Sequence, residues 1–394
     1  MEEIVKIPIA GILQLDDVGW DNGRDLRLSG QASRSGLPRY HALEDYQLLH
    51  ELGKAMNSSI FVALCLGDWD KDNILKDVTG ATHKAGAWDR ASEIDIAKCE
   101  KYRDVLEGSE FIDYSIHGLL HGNYDENGKL INEAEGYHVK RHEDGTWEKR
   151  IVSDEYFNEH LDAFMKLYET WDFKKPLTTY IAPCGMGGIK EEDVAHICEI
   201  LYKRGIRYWT NSGFPFEGPL KVYNGVAVVK QDYSSMLGKY DAPWDAYDVD
   251  PDYFPQYLQE EKKHNAALLA LHWTNILRYN PKKNFEQVKP WADYFKRQEE
   301  VFGYMTARNF EKSVNQLFYF WYADMTVEGN KCVIDLERMN REKIDRHENL
   351  FYVSFKVGTE PKSIEGGEIS LYEEHKEFNT YKITHTGAKI TITF

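Results

Sequence analysis

No apolar run of about 18 residues occurs in the 394-residue sequence, so no segment reads as a membrane-spanning helix. Cysteine is scarce: the five residues Cys65, Cys99, Cys184, Cys198 and Cys332 are odd in number, widely spaced and form no C-x-x-C pair. That pattern excludes a disulfide-stapled scaffold and suits the reduced thiols of a cytoplasmic protein. Residues 1–6 carry no basic run ahead of a short apolar stretch, so no signal peptide is expected. Positive charge is in deficit, with 48 Lys and Arg against 65 Asp and Glu and a net charge of -17. A phosphate backbone would be repelled, which excludes nucleic acid as a partner, and the missing apolar span excludes the membrane. Internal repeats and low-complexity tracts are absent as well.

What is present is a long series of short apolar runs alternating with helical patterns. Runs at 4–15, 59–66, 111–116, 177–182, 206–210, 226–229 and 267–273 read as strands. They are continuous rather than alternating in polarity, as parallel strands buried on both faces are. Helical spacing is expected over 43–56, from Ser92 as N-cap to about 106, from Asp154 as cap to about 171, and over 190–204, 253–265 and 288–308. Residues 19–38 and 71–92 read as long loops, 122–153 as a polar insertion, and 240–257 as a lid. Strand then helix, about seven times over, predicts a parallel (β/α) barrel spanning residues 1–312. From 313 to 394 the pattern turns to strands and turns, beginning with Phe318-Tyr319-Phe320-Trp321-Tyr322 and with hairpin signals at Gly329-Asn330 and Thr386-Gly387. This predicts a C-terminal antiparallel β domain, sandwich-like in form.

Chemistry-bearing residues gather where these strands should end. His117 and His121 follow the third run, four residues apart, with a glycine after each. Asp16 and Asp17 follow the first, and Asp68, Cys184, Asp232 and His272 follow others. Barrel enzymes place their catalytic groups at the carboxyl ends of the strands. Two imidazoles and a carboxylate delivered there are a ligand set that leaves coordination positions open, most simply for Zn²⁺. Each residue also has a plain reading. Asp16-Asp17 can open a turn, His272 can be a hydrogen-bonded core histidine, and Cys184 a small buried thiol. His138 and His142 sit among charges and read as solvated. Trp244, Tyr247, Tyr253 and Trp273 read as core before they read as sugar platforms.

Taken in order, these motifs resemble the polysaccharide deacetylase family, the NodB-homology or carbohydrate esterase family 4 group, across roughly residues 8–310. The matching elements are Leu15-Asp16-Asp17, the H-x-x-x-H pair His117 and His121, the stretch Ile181-Ala182-Pro183-Cys184 and the late Leu271-His272. The resemblance implies an irregular barrel and a divalent metal held by Asp17, His117 and His121. It also implies catalysis by Asp16 as base, His272 as acid and the Cys184 backbone as oxyanion donor. The partner it implies is an N- or O-acetylated carbohydrate. The chain departs from the family pattern at Ile181, where an arginine that orients the base is usual, and at Cys184, where a tyrosine is usual. Gly122 replaces a usual proline, and only Trp209 answers to the fourth motif. A glycan-binding relative without activity, and a glycoside hydrolase on a related barrel, are the alternative readings.

Overall fold

The computed structural model describes residues 4–19, 39–145, 147–232 and 265–394. Seven strands form its centre: β1 (Ala10–Val18), β2 (Ile60–Leu64), β3 (Ile112–Ile116), β4 (Thr179–Ile181), β5 (Tyr208–Asn211), β6 (Val226–Asp232) and β7 (Leu268–His272). All run parallel in the order β5-β4-β3-β2-β1-β7-β6, and β6 pairs back onto β5, so the sheet closes into a barrel. β1, β2 and β7 are buried along their whole length, which explains their largely apolar character; the polar residues within them are Gln14, Asp16 and Asp17 of β1 and His272 of β7.

Helices α1 (Leu43–Met56), α2 (Ile96–Gly108), α3 (Asp154–Thr170), α4 (Glu191–Lys203) and α5 (Val288–Phe302) flank the barrel. α1 and α5 begin where expected, at residues 43 and 288, and the other starts differ by a residue or a few. Asp95, not Ser92, caps α2 by accepting from the Lys98 amide, and Ser153, not Asp154, caps α3 by accepting from the Tyr156 amide. α5 stops at Phe302, where Gly303 takes a left-handed conformation. The expected insertion at 122–153 contains two hairpins, Asn123–Tyr124 with Leu130–Asn132 and Tyr137–Arg141 with Trp147–Ile151. The expected lid at 240–257, the helix at 253–265 and nearly all of the loop at 19–38 lie outside the described residues.

One expected strand is a helix. Residues 318–322 belong to α6 (Phe310–Tyr322), capped by Asn309. An aromatic run favours a strand locally, but here Phe318, Tyr319 and Tyr322 are buried and Phe320 is exposed, a helical rather than an alternating pattern. α6 spans the expected boundary at 312 and faces both ways. Phe310 stacks on Phe61 of β2 at 4.0 Å and meets Tyr208 of β5, which plugs the amino-terminal end of the barrel. On the other side Gln316 exchanges two hydrogen bonds with the Tyr352 backbone, and Tyr319 stacks on Phe351 at 4.3 Å.

Beyond α6 lie two four-stranded antiparallel sheets. One contains Leu350–Lys356, Gly367–Glu374 and Phe378–His385, and its edge is the amino-terminal pair Val5–Lys6. The other contains Asp324–Glu328, Lys331–Asp335, Ser363–Glu365 and Lys389–Thr393. Neither extends the barrel sheet. Among the described residues no helix is long and apolar enough to cross a membrane.

Candidate metal and catalytic centre

The carboxyl end of β1 carries two acids in succession, and successive residues of a strand point to opposite faces. The backbone resolves this conflict. Between Leu15 and Val18 the pairing with β2 slips by one residue, a bulge, and Asp17 takes a left-handed φ of 68°. Bulges re-aim side chains and cluster next to active sites. His121 (φ 51°) and Cys184 (φ 63°) adopt the same conformation, which costs a non-glycine residue energy.

Asp17 is fully buried at the centre of three imidazoles. His117 Nε2 lies 3.2 Å from its Oδ1, His121 Nε2 3.5 Å from the same atom, and His272 Nε2 4.0 Å from Oδ2. Asp17 Oδ2 has no hydrogen-bond partner among the described residues. His117 donates from Nδ1 to the Ile181 carbonyl at 2.9 Å, which leaves the Nε2 lone pair directed at Asp17 when the ring is neutral. Two donors each about 2.0–2.1 Å from a tetrahedral cation stand roughly 3.3–3.4 Å apart. The spacings of Asp17 to His117 and to His121 are each close to this, while the candidate ligand atoms that all lie within 4.8 Å of one another are those of Asp17, Cys65 and His117, without His121. With protons alone the same geometry is an ion pair. Burial opposes charge on His117, but its hydrogen bond to Asp17 and the negative charge of Asp16 outweigh it and lift the imidazole to about 9. Burial would likewise raise Asp17; the surrounding histidines, His121 foremost, hold it well below the usual carboxylate range.

A cleft of about 290 Å³ opens here, lined among others by Asp16, His117, His121, Cys184 and His272. Five of the six expected site residues therefore line one cleft; Asp17 is not among its lining residues and stands behind His117 and His121, 3.2 and 3.5 Å from them. Asp68 and Asp232 do not line it. Asp70 is structural: its carboxylate accepts from the Ile74 and Leu75 amides and the Trp88 indole, tying down the segment 71–92. Trp273 is core, stacked on His41 at 4.1 Å, while Trp244, Tyr247 and Tyr253 lie outside the described residues.

Several contributors carried no assignment in the sequence. Gln14 points into the barrel, because it bonds Gln231 of β6, a strand that is not its neighbour, at 2.7 Å. From there it also donates to Asp16 Oδ1 at 2.8 Å. Glu135, in the insertion, accepts from the amides of Leu119 and Leu120 at 2.8 Å and so holds the turn between the two histidines. Cys184 Sγ donates to Glu133 Oε2 at 3.7 Å. The loop 182–185 is fixed through its carbonyls. Asn211 donates to Ala182 and Cys184 at 2.6 and 2.9 Å, Tyr137 donates to Pro183, and Lys149 donates to Gly185. Cys65 also lies close, within 4.8 Å of the candidate ligand atoms of Asp17 and His117; burial, and then the negative charge of Asp17, push its thiol up. Two of these had signals. Gln14 stands two residues before Asp16 on one strand face, and Cys65 stands one residue past a strand end. The others are distant in sequence from what they hold. No family model matches the chain, and no curated protein matches it.

Proposed function

We propose that the chain is a divalent-metal-dependent hydrolase that removes an acetyl group from an N- or O-acetylated carbohydrate, as the resemblance to polysaccharide deacetylases implies. One observation carries the reading: His117 Nε2 and His121 Nε2 stand 3.2 and 3.5 Å from the same Asp17 oxygen, and Asp16 and His272 line the cleft that both histidines line. Asp17, His117 and His121 would hold the cation, which when bound would supply Lewis acidity toward the acyl carbonyl and activation of the attacking water. Asp16, oriented by Gln14, accepts the proton of that water. His272 donates a proton to the departing nitrogen or oxygen, a contribution of ~10²–10⁴-fold in such reactions. The loop at Cys184, its carbonyls held from outside, offers amide N–H groups to the developing oxyanion, each worth on the order of 3 kcal/mol.

The test is elemental analysis of the purified chain paired with acetate release from a panel of acetylated sugars. The expected result is one tightly held ion per chain, and acetate release that chelation abolishes and Zn²⁺ restores. Sugar binding without release would instead support the glycan-binding reading. Glu133, a carboxylate in the same cleft as Asp16, favours glycoside hydrolysis as the second reading. Release of reducing ends without acetate would decide for it.

A further inference from the structure

We propose that Cys65 is a further metal ligand, so that three adjacent strands, β1, β2 and β3, close on one cation through Asp17, Cys65 and His117. The inference rests on the metal-site reading above and adds a sulfur donor to it. β2 lies between β1 and β3 in the barrel. Its last residue, Leu64, pairs with Val18 on one side and Ile116 on the other, so Cys65 and His117 are the next residues of level strands. Two backbone bonds continue the ladder there, from the Cys65 amide to Val18 at 2.8 Å and from the His117 amide to Leu64 at 2.9 Å. Candidate ligand atoms of all three residues fall within 4.8 Å of one another, and all three are buried.

Two further observations separate Cys65 from an ordinary core thiol. Cys99, Cys198 and Cys332 are buried within the main apolar cluster, whereas Cys65, equally buried, is not part of it. Its sulfur instead faces polar groups and donates to the His117 carbonyl at 3.6 Å. Beside it, the buried Asp17 Oδ2 has no hydrogen-bond partner among the described residues, as an oxygen that accepts from a cation would. Ligation forms one metal–sulfur bond and releases the thiol proton to solvent. With His121, the donor set becomes two nitrogens, one oxygen and one sulfur. Such a set selects Zn²⁺, Co²⁺ or Fe²⁺ over Mg²⁺ and Ca²⁺.

The experiment strips the full chain with a chelator, loads it anaerobically with Co²⁺ and records its absorption spectrum. Sulfur ligation is expected to give a sulfur-to-cobalt charge-transfer band in the near ultraviolet, beside the visible bands of bound cobalt. Cys65→Ser should lose the ultraviolet band and keep the visible ones, and Cys184→Ser should keep both. X-ray absorption of the unmutated zinc form needs no variant and should show one sulfur at about 2.3 Å with nitrogen and oxygen at about 2.0 Å. Cobalt bound with no sulfur signature would overturn the role of Cys65 and leave the three-ligand site standing. A band that survives in Cys65→Ser and vanishes in Cys184→Ser would overturn it too. No cobalt binding at all would overturn this proposal together with the metal-dependent reading.

Discussion

Gln14 and Asp16 point the same way from β1, and the Gln14 amide donates to Asp16 Oδ1 at 2.8 Å. The same amide reaches Gln231 Oε1 at 2.7 Å, and Thr210 joins from β5 with its hydroxyl 3.3 Å from that oxygen. A polar layer thus crosses the barrel directly beneath the acid assigned as base. Where the resemblance implies an arginine beside the proposed base, this chain has a neutral amide that donates a hydrogen bond to Asp16.

Gln14→Leu should therefore harm both stability and turnover. It removes the donor to Asp16 and one of the donors to Gln231 Oε1 in a buried layer, at a cost of about 1–3 kcal/mol. Denaturant midpoints and acetate release report the two effects separately. If turnover falls no further than the unfolded fraction explains, Gln14 is a packing residue only.

Gly118→Ala should disrupt the histidine turn from a distance of one residue. Gly118 has a φ of +94°, and a Cβ there would stand 2.4 Å from the Glu135 carboxylate. That carboxylate would have to leave the Leu119 and Leu120 amides it holds. Changes to such supporting groups cost roughly 10–100-fold in metal affinity. Titration with Zn²⁺ checks this, and an unchanged affinity would remove Glu135 from the supporting role.

Acid should destabilise the fold through Asp45. This buried carboxylate accepts two hydrogen bonds from Arg39 at 2.7 Å and one from Asn284 at 2.7 Å. Burial would raise it, but His41 and Arg39 pull it well below its usual range. A depressed folded value means stability that is complete above the unfolded value of about 3.9 and is lost as pH falls below it. Asp45→Asn should lower stability at pH 7 by about 3 kcal/mol and flatten the acid limb of the curve. Melting temperatures of both proteins from pH 3 to 7 check the sign; parallel curves would refute it.

The barrel and the mouth of its site were legible because both rest on local signals: unbroken apolar runs, and polar residues one step past them. Helix α6 was not, because a strand-favouring run such as 318–322 yields to whatever it must pack against, here His347, Phe351 and His385. Glu135 lies 16 residues from Leu119, and Tyr137 more than 40 from the loop it holds. No periodicity announces such contacts. Asp16 and Asp17 were legible as a pair, but only the bulge explains how neighbours on a strand serve one mouth.

The roles of Asp16, Asp17 and His272 separate on two substrates. Asp17→Asn should weaken cation binding itself, since its carboxylate stands between His117 and His121. Asp16→Asn should keep the cation and lose most turnover on every substrate, because the water must be deprotonated whatever leaves. His272→Ala should also keep the cation, yet its loss should depend on the leaving group. An amine departs only once protonated, so acetamide turnover should fall ~10²–10⁴-fold, while a nitrophenyl acetate, whose leaving group needs no proton, should lose little. Metal content and both rates for each variant make the test. Equal losses on the two substrates for His272→Ala would reduce it to a residue that packs beside Asp17. Full activity in Asp16→Asn would place the base elsewhere in the cleft, with Glu133 the next carboxylate to replace.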